Sequence, residues 1–513
     1  MNHYDVIIIG AGPTGLMAAT QLARYNINFC IIDSKAGPTD QSRAIVITAR
    51  SMEIYQQMGI SDTAIHEGKF ITDFSIFIKG REKATASIGE FGKGMTDFSY
   101  MLAFEQSQNE KLLVKKLSSY GHEVCWNTEL ENIVQQPSGL EMQIKYLIKT
   151  GQPVEKLSAR YVVGCDGAKS VVRHLLDFTF IGGTYEKQFY VADTRLKWNE
   201  GFNKLVLCPG RKNFCGFFPM AGNNSHRIIG TIPTELNDRD EITFDDIEHS
   251  IKETVKFPIE IEAMNWFSVY KLHHRAVEAF SKGNCFLAGD AAHIHSPAGG
   301  QGMNTGLQDA YNLSWKLALV IKNIANEKIL DTYNKERLPF AQWLLKFTDR
   351  AFSAMTSSNI IISWLRSNVL PVFVKFFLRK TAVRTAMFKA VSQIQWTYKD
   401  SSISQNSSSQ KLTFNAGDRL PYILLKKENT IESIYKLLTA PAFHLLIIGD
   451  AKPVTISNGI TKTIQLDIET WKAFGVTKPL YILIRPDNYI GLIADELDEQ
   501  KLNAYLQKHC CFN

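Results

Sequence analysis

Asp5 to Gly15 reads DVIIIGAGPTG, and this stretch, taken with the helix and strand beyond it, decides the fold. Asp5 to Gly10 is an apolar, β-branched run, the composition of a parallel strand buried on both faces. It leads into Gly10-Ala11-Gly12-Pro13-Thr14-Gly15, a G-x-G-x-x-G spacing. Leu16 to Tyr25 has helical composition, and a second apolar run, Asn28 to Ile32, ends at Asp33. The first glycine permits a tight turn, the second lets backbone approach a pyrophosphate, and the third lets helix and strand pack closely. An acid about 20 residues beyond the glycines stands where a ribose hydroxyl is held. A lone G-x-G-x-x-G is weak; strand, helix, second strand and terminal acid together predict a dinucleotide site on a βαβ unit. The competing reading is a Gly-rich βα turn without ligand.

A second stretch refines the ligand. Gly283 to Gly306 reads GNCFLAGDAAHIHSPAGGQGMNTG. An apolar run ending in Gly289-Asp290 predicts a buried strand delivering a carboxylate to the end of a sheet, where it can hold a hydroxyl of a polyol. The glycine turn after Pro297 leads to a helix opening near Met303. Backbone N–H groups at a helix N-terminus stabilise an anion or an electron-rich ring edge. A polyol beside such a ring edge fits a flavin better than a nicotinamide. Asp290 could instead cap its own turn. His293 and His295, at i and i+2, invite a metal reading; beside the turn they fit a structural or solvent-gating role, and no metal is expected.

At 513 residues the chain exceeds one ordinary core, so two or three domains are expected. Apolar content of 45% and charged content of 21% are those of a soluble globular protein. A net charge of +6 is small for this length and no nucleic-acid footprint. The eight cysteines contain no C-x-x-C pair, which predicts reduced thiols and a cytoplasmic protein. Met1 to Tyr4 leaves no room for a signal peptide before the first strand. Asn359 to Leu378 is apolar but interrupted by Arg366, Asn368, Pro371 and Lys375, so an amphipathic helix pair is expected rather than a membrane span.

Residues 70–100 and 180–270 alternate apolar and polar, which predicts strands with one buried face. They build a second lobe inserted into the nucleotide domain. Leu102 to Tyr120 has a helical pattern; strands are expected near Glu123–Trp126 and Leu140–Ile148. Tyr161 to Arg173, YVVGCDGAKSVVR, is another strand-turn-helix. Leu307 to Asn326 and residues 332–398 are helical in pattern. Ser401 to Gln410, SSISQNSSSQ, is the best linker candidate. Beyond it, strands are expected at His444–Ile448, Pro453–Ile456 and Tyr481–Ile484, the last in a hairpin with Ile490–Ala494.

Three motifs thus occur in fixed order: Gly10-x-Gly12-x-x-Gly15, Cys165-Asp166-Gly167 with Ser170 and Arg173, and Gly289-Asp290 with its glycine turn. Together they resemble the group A flavoprotein aromatic hydroxylases, the para-hydroxybenzoate hydroxylase type, most strongly over residues 1–350. The tail resembles the thioredoxin-like domain of the phenol hydroxylase and polyketide hydroxylase branch, through Ala416-Gly-Asp-Arg-Leu-Pro421 and Leu483-Ile-Arg485-Pro-Asp487. The resemblance implies an α/β chain with a Rossmann-like (GR2-type) FAD-binding domain from 1–70, 100–180 and 270–350. It implies an antiparallel-sheet substrate domain from 70–100 and 180–270, a helical segment at 350–400, and a thioredoxin-like domain at 411–513.

By the same resemblance, Gly10, Gly12, Pro13, Thr14 and Gly15 form the FAD pyrophosphate loop. Asp33, followed by Ser34 and Lys35, holds the adenosine ribose. Arg43 lies near the phosphates and the ring, and Gln106 near the ribityl chain. Asp290 holds the ribityl hydroxyls, Pro297 lines the flavin, and Gly299, Gly300, Gly302, Met303 and Asn304 wrap its pyrimidine end. Asp166, with Arg173, is linked to FAD and NAD(P)H. Plainer readings stand beside these: a solvated Arg43, a surface Gln106, an Asp166 that holds only its own turn. Phe214, Phe217, Phe218 and Pro219 either roof a pocket for a planar substrate or belong to the sheet core. The residues at 350–398 fit core better than substrate lining.

The implied reaction is monooxygenation of an aromatic, phenolic or polyketide-like substrate, with rifamycin- and tetracycline-type antibiotics among the candidates. FAD is reduced by NADPH or NADH and reacts with O₂ through a flavin C4a-hydroperoxide; no catalytic base is identifiable. A flavin-dependent halogenase is an alternative, but the W-x-W-x-I-P stretch of those enzymes is absent. A non-catalytic flavin-binding accessory protein is another. No nucleic-acid or membrane partner is expected, and the chain is read as a monomer or homodimer. The tail, lacking C-x-x-C, is no thiol oxidoreductase.

Overall fold

The computed structural model describes residues 2–136, 139–147, 154–198, 203–210, 213–236, 239–296, 299–357, 359–427, 430–454, 456 and 459–512. Its first strand, Asn2–Ile9, is central in a sheet ordered Ser281–Lys282, Cys285–Leu287, Glu155–Gly164, Asn2–Ile9, Phe29–Ile32. The last four run parallel. Val6, Ile7 and Ile8 are wholly buried, as continuous β-branched runs require when both faces are covered. Thr128–Gln136 and Gly139–Tyr146 extend the sheet antiparallel. The helices Pro13–Arg24, Gln106–Ser118 and Gly302–Ile321 supply its covering layer, with Leu16, Leu113 and Leu317 in the same core as the strands. Near Glu123–Trp126 the structure has a single bridge, Ile32 to Cys125, in place of the expected strand.

The second sheet has eight strands, ordered His293–Ile294, Glu260–Val277, Phe180–Lys197, Ser225–Thr231, Phe214–Pro219, Lys204–Pro209, Asp73–Ile78, Arg81–Ser87. The helix Phe244–Val255 closes one face, burying Phe244, Ile247, Ile251 and Val255 against Tyr190, Val206 and Phe217. Because strand side chains alternate, the other face carries a different residue set, in which buried Arg227 and Asp193 stand among half-buried apolar residues.

Helices Asp331–Thr356, Ile360–Phe377 and Thr381–Val391 come next. Ile360–Phe377 is one helix running through Pro371, not a pair. The serine-rich stretch is no free linker. Gln405–Ser407 adds to a five-stranded sheet ordered Gln405–Ser407, Ile490–Ala494, Leu480–Ile484, Phe443–Ile448, Thr461–Leu466. The Asp495 carboxylate holds it there, accepting from the Ser408 hydroxyl at 2.5 Å and from the Ser409 N–H at 2.7 Å. No strand forms among the described residues of Pro453–Ile456. The parallel neighbour of Phe443–Ile448 is Thr461–Leu466 instead, a half-exposed edge whose polar residues left little periodic signal. All eight cysteines are free thiols.

Candidate functional site

The three motif loops leave one edge of the parallel sheet. Ile9 pairs with Gly164 and Ile32, and Gly164 pairs with Leu287. Gly10, Asp33, Cys165 and Ala288 therefore all lie one residue beyond the carboxyl ends of adjacent strands, where open α/β sheets bind ligands. Gly10 has φ +98°, and a Cβ there would collide with the Cys165 carbonyl; one at Gly15 would overlap the Gly10 carbonyl. At Gly12 nothing stands within 4 Å of an added Cβ, so backbone is approachable from outside. Gly12 caps the Pro13–Arg24 helix with no side chain on its free N–H groups, leaving them for an anion. Thr14 sits in a notch between Gly289 and Gly306, which locks the first loop to the third.

Asp33 is nearly buried. Its carboxylate accepts from the Ala11 N–H at 2.6 Å and the Lys35 N–H at 2.8 Å. Ser34 is exposed; the Lys35 ammonium sits 3.2 Å from Glu110. Glu110 is fully buried and also accepts from the Thr39 N–H at 2.7 Å and the Gln106 amide at 3.0 Å. Gln106 in turn accepts from the Ala44 N–H at 3.4 Å, so both side chains order the loop carrying Arg43. Glu110 is the residue that sequence reasoning missed. Its only signal was a position four after Gln106 on the same helical face. Arg43 is exposed, its charge close enough to pull down the carboxyl of Asp290 and the phenol of Tyr270.

Asp290 is exposed to solvent yet ringed by protein. That surrounding pushes its carboxyl above the usual range, against the charges of His293 and Arg43. Gly289, at φ +61°, donates its N–H to Asp309 at 3.1 Å. Asp309 lies on the Gly302–Ile321 helix, wholly buried, and is also bound by His293 Nε2 at 2.7 Å and Arg337 Nε at 2.7 Å. His293 is thus committed to the turn. His295 bonds the Ser296 carbonyl at 2.8 Å, and burial pushes it down to about 4, so it is neutral. Among the described residues no group of three His, Cys, Asp or Glu side chains is placed to hold a metal.

Asp166 and Arg173 do not pair. Asp166 accepts the Val172 N–H at 3.1 Å, and its other oxygen is buried without a partner among the described residues. Burial raises its carboxyl, partly offset by Ser170 and the Val172 N–H. Arg173 donates to the Ala168 carbonyl at 2.8 Å and the Ala291 carbonyl at 3.0 Å, clamping the second loop to the third. Pro297 lies outside the described residues. Gly299 and Gly300 turn the chain at φ +81° and +64° into Gly302, the first residue of its helix. That N-terminus has no side-chain cap and no acid in its first turn, so its N–H groups favour an electron-rich ring edge. The side chain of Asn304 is spent on protein, donating to the Val46 and Gly300 carbonyls at 2.9 Å and accepting the Thr48 N–H at 3.0 Å. Met303 accepts the Asn109 amide at 3.3 Å.

The half-buried face of the large sheet carries the remaining chemistry. Phe214 and Phe218 flank Gly216 there, with Leu207 and Ile229 opposite. Phe217 and Pro219 turn the other way, Phe217 into the core under the Phe244–Val255 helix. Across the face run Phe218, Arg227, Asp193 and Trp266 in register. Arg227 binds Asp193 through two bonds of 2.6 and 2.7 Å and donates to the Arg43 carbonyl at 3.0 Å. This face therefore looks onto the loop that carries Arg43. Tyr270, on the same face as Phe189, is pushed up to about 12 by burial and stays a hydrogen-bond donor.

The features fit an FAD: two uncapped helix N-termini, an approachable Gly12, an acid at the second strand end and an exposed carboxylate at the fourth. Comparison with known proteins agrees. A family model described as FAD binding domain matches residues 3–348. The 6-methylpretetramide 4-monooxygenase of Streptomyces rimosus is 28% identical over 98% of this chain and 93% of its own length. The rifampicin monooxygenase of Streptomyces venezuelae is 31% identical over 69% of this chain and 72% of its own. The crystal structure of aklavinone-11 hydroxylase with FAD and aklavinone has the same fold at a TM-score of 0.83, 21% identity and 99% coverage of both chains. The chain belongs to the FAD-binding domain family and is an FAD-dependent monooxygenase of the aromatic hydroxylase type.

Proposed function

We propose that the protein binds FAD across the sheet edge and, using NADPH or NADH, inserts one oxygen atom from O₂ into a large planar phenolic or polyketide-like substrate. The observation that carries this is the half-buried apolar sheet face opposite the Arg43 loop. Phe214, Phe218, Leu207, Ile229 and Trp266 offer an apolar surface for fused rings and Tyr270 a donor for a ring oxygen, while Arg227, wholly buried, holds Asp193 and the Arg43 loop in place. The two curated relatives named above are a 6-methylpretetramide and a rifampicin monooxygenase, which supports this reading.

Bound FAD would supply the redox and oxygen-transfer chemistry. The Pro13–Arg24 helix and Gly12 would receive its pyrophosphate, Asp33 the adenosine ribose and Asp290 the ribityl hydroxyls. The N–H groups at Gly302 to Asn304 would face the pyrimidine edge, and Asp166 would lend its buried free oxygen to the same cradle. Arg43, tethered by Arg227, would link the cofactor loop to the substrate face, so that ring placement and cofactor position are set by one side chain.

Asp290→Asn tests the cofactor assignment. Loss of a charge-assisted hydrogen bond of roughly 1.5–3 kcal/mol should weaken FAD binding about tenfold or more, read by flavin fluorescence on titration of apoprotein. Undiminished affinity would refute the role of Asp290. A screen of NADPH and NADH oxidation over phenols, polyketides and antibiotics tests the reaction. A stimulating compound should emerge one oxygen atom heavier by mass.

A further inference from the structure

The helix Ile360–Phe377 turns its apolar residues outward. Its buried side holds Ser363, Arg366, Pro371 and Val374. Arg366 donates to the carbonyls of Met355 at 2.6 Å and Gly210 at 2.8 Å, pinning the helix along the body. Outward stand Ile361, Trp364, Leu365, Val369, Phe373 and Phe376, with Trp364 60% and Phe376 54% exposed. Two of the residues that interrupt this run in the sequence, Arg366 and Pro371, are thus withdrawn from the surface. The amide of Asn368 is folded back onto the Trp364 carbonyl at 2.9 Å. What remains is a continuous apolar ridge, which proteins free in water rarely keep uncovered.

The charge around it is predominantly positive. Residues 351–399 contain Arg366, Lys375, Arg379, Lys380, Arg384, Lys389 and Lys399 and no aspartate or glutamate. The ammonium groups of Lys375 and Lys380 lie 5.8 and 5.3 Å from the rings of Phe376 and Phe377. Lys83, Lys375, Arg379 and Arg384 line the adjoining groove, and its acid, Glu82, is paired with Lys204 at 3.1 Å. A second copy meeting this face about a twofold axis would set these cations against one another. An anionic lipid surface would neutralise them while the rings enter its interface.

We propose that this ridge docks the protein on anionic bilayers, with the helix lying in the plane of the interface. Among the described residues it is the only helix long and apolar enough to cross a membrane. Its length of about 27 Å falls just short of a hydrocarbon core of about 30 Å, and its buried side is already committed to the body. Of the four interruptions behind the expectation of no membrane partner, the fold withdraws Arg366 and Pro371 from the surface, while Lys375 stands beside the ridge.

The test is sedimentation of the FAD-loaded protein with vesicles of phosphatidylcholine containing roughly a third phosphatidylglycerol, against phosphatidylcholine alone. Binding should favour the anionic vesicles by about tenfold, weaken in high salt, and fall by about tenfold in Trp364→Glu/Phe373→Glu. Unchanged flavin content and melting temperature establish that this double variant is folded; Lys375→Gln/Lys380→Gln is the second probe, expected to lose only the anionic preference. Equal or absent binding to both vesicle types, or full binding by the apolar double variant, overturns the proposal. A dimer in sedimentation velocity that the double variant dissolves, without vesicle binding, overturns it in favour of a second copy.

Discussion

Asp309→Ala should lose about 3–5 kcal/mol of stability and most of its flavin. The carboxylate is wholly buried and carries three loads: the Gly289 N–H, His293 and Arg337. Without it Arg337, also wholly buried, keeps only the Tyr398 hydroxyl at 3.1 Å and the Thr305 carbonyl at 3.3 Å. Neither is an anion. The Gly289 N–H is orphaned at the turn that presents Asp290. Burial alone would raise the Asp309 carboxyl, but Arg337 and His293 outweigh it and hold the group below its usual range. A folded pKa below the unfolded value of about 4 contributes stability that is complete above that value and lost as pH falls through the folded one. The wild type should therefore lose more stability than Asp309→Ala on acidification. Urea unfolding across pH, with flavin content, checks both claims. An Asp309→Ala protein as stable and as yellow as its parent would falsify the assignment. The contrast with Asp290→Asn is informative, because that exposed carboxylate should cost flavin but little stability.

The contrast marks where sequence reasoning runs out. Asp33 and Asp290 were legible because each follows an apolar run, and a carboxylate at a strand end is a local pattern. Glu110, Asp309 and Arg337 stand in amphipathic helices, where a charge ordinarily marks the solvent face. Their burial depends on neighbouring elements meeting, which no local period encodes. Phe214, Phe217 and Phe218 show the same limit: alternation puts Phe217 opposite the other two, but only the docked Phe244–Val255 helix decides which face is closed. Ser401 to Gln410 has the composition of a linker, yet Ile490–Ala494 offers it a sheet edge and Asp495 its hydrogen bonds. The parallel sheet and its motif loops were readable because strand, turn and helix are each specified within a dozen residues. The charged joints between distant helices were not.

The second such joint should be about as costly to break. Glu336, the neighbour of Arg337 in sequence, faces a different centre. It accepts both terminal nitrogens of Arg485, at 2.7 and 2.9 Å, and Lys316 at 2.8 Å, Asn312 at 2.7 Å and the Ser401 hydroxyl at 2.6 Å. Asp487 adds bonds of 2.6 and 3.0 Å to Arg485. Two cations and two anions thus balance in a site closed to water, with Arg485 and Asp487 from the C-terminal sheet and Lys316 and Glu336 from the helices of the FAD-binding body. Glu336→Ala leaves one positive charge in excess, and about 3–5 kcal/mol should be lost. Lys316, pushed down to about 8 mainly by burial, can shed its proton; Arg485 cannot. A lysine whose folded pKa lies below its unfolded value of about 10.4 gains stability as pH rises from the folded value to the unfolded one. Removing the Glu336 anion lowers the folded value further, so in the variant this gain should begin nearer neutrality. Lys316→Met in the Glu336→Ala background should recover more than half of the loss by restoring charge balance. Because the broken bonds join the two bodies, proteolysis between residues 399 and 411 should accelerate in Glu336→Ala and slow again in the double variant. Cleavage that is unchanged in Glu336→Ala would mean that the other joints, Arg419 with Glu53 and Arg50 with the Asp487 carbonyl among them, hold the C-terminal sheet to the body without Glu336.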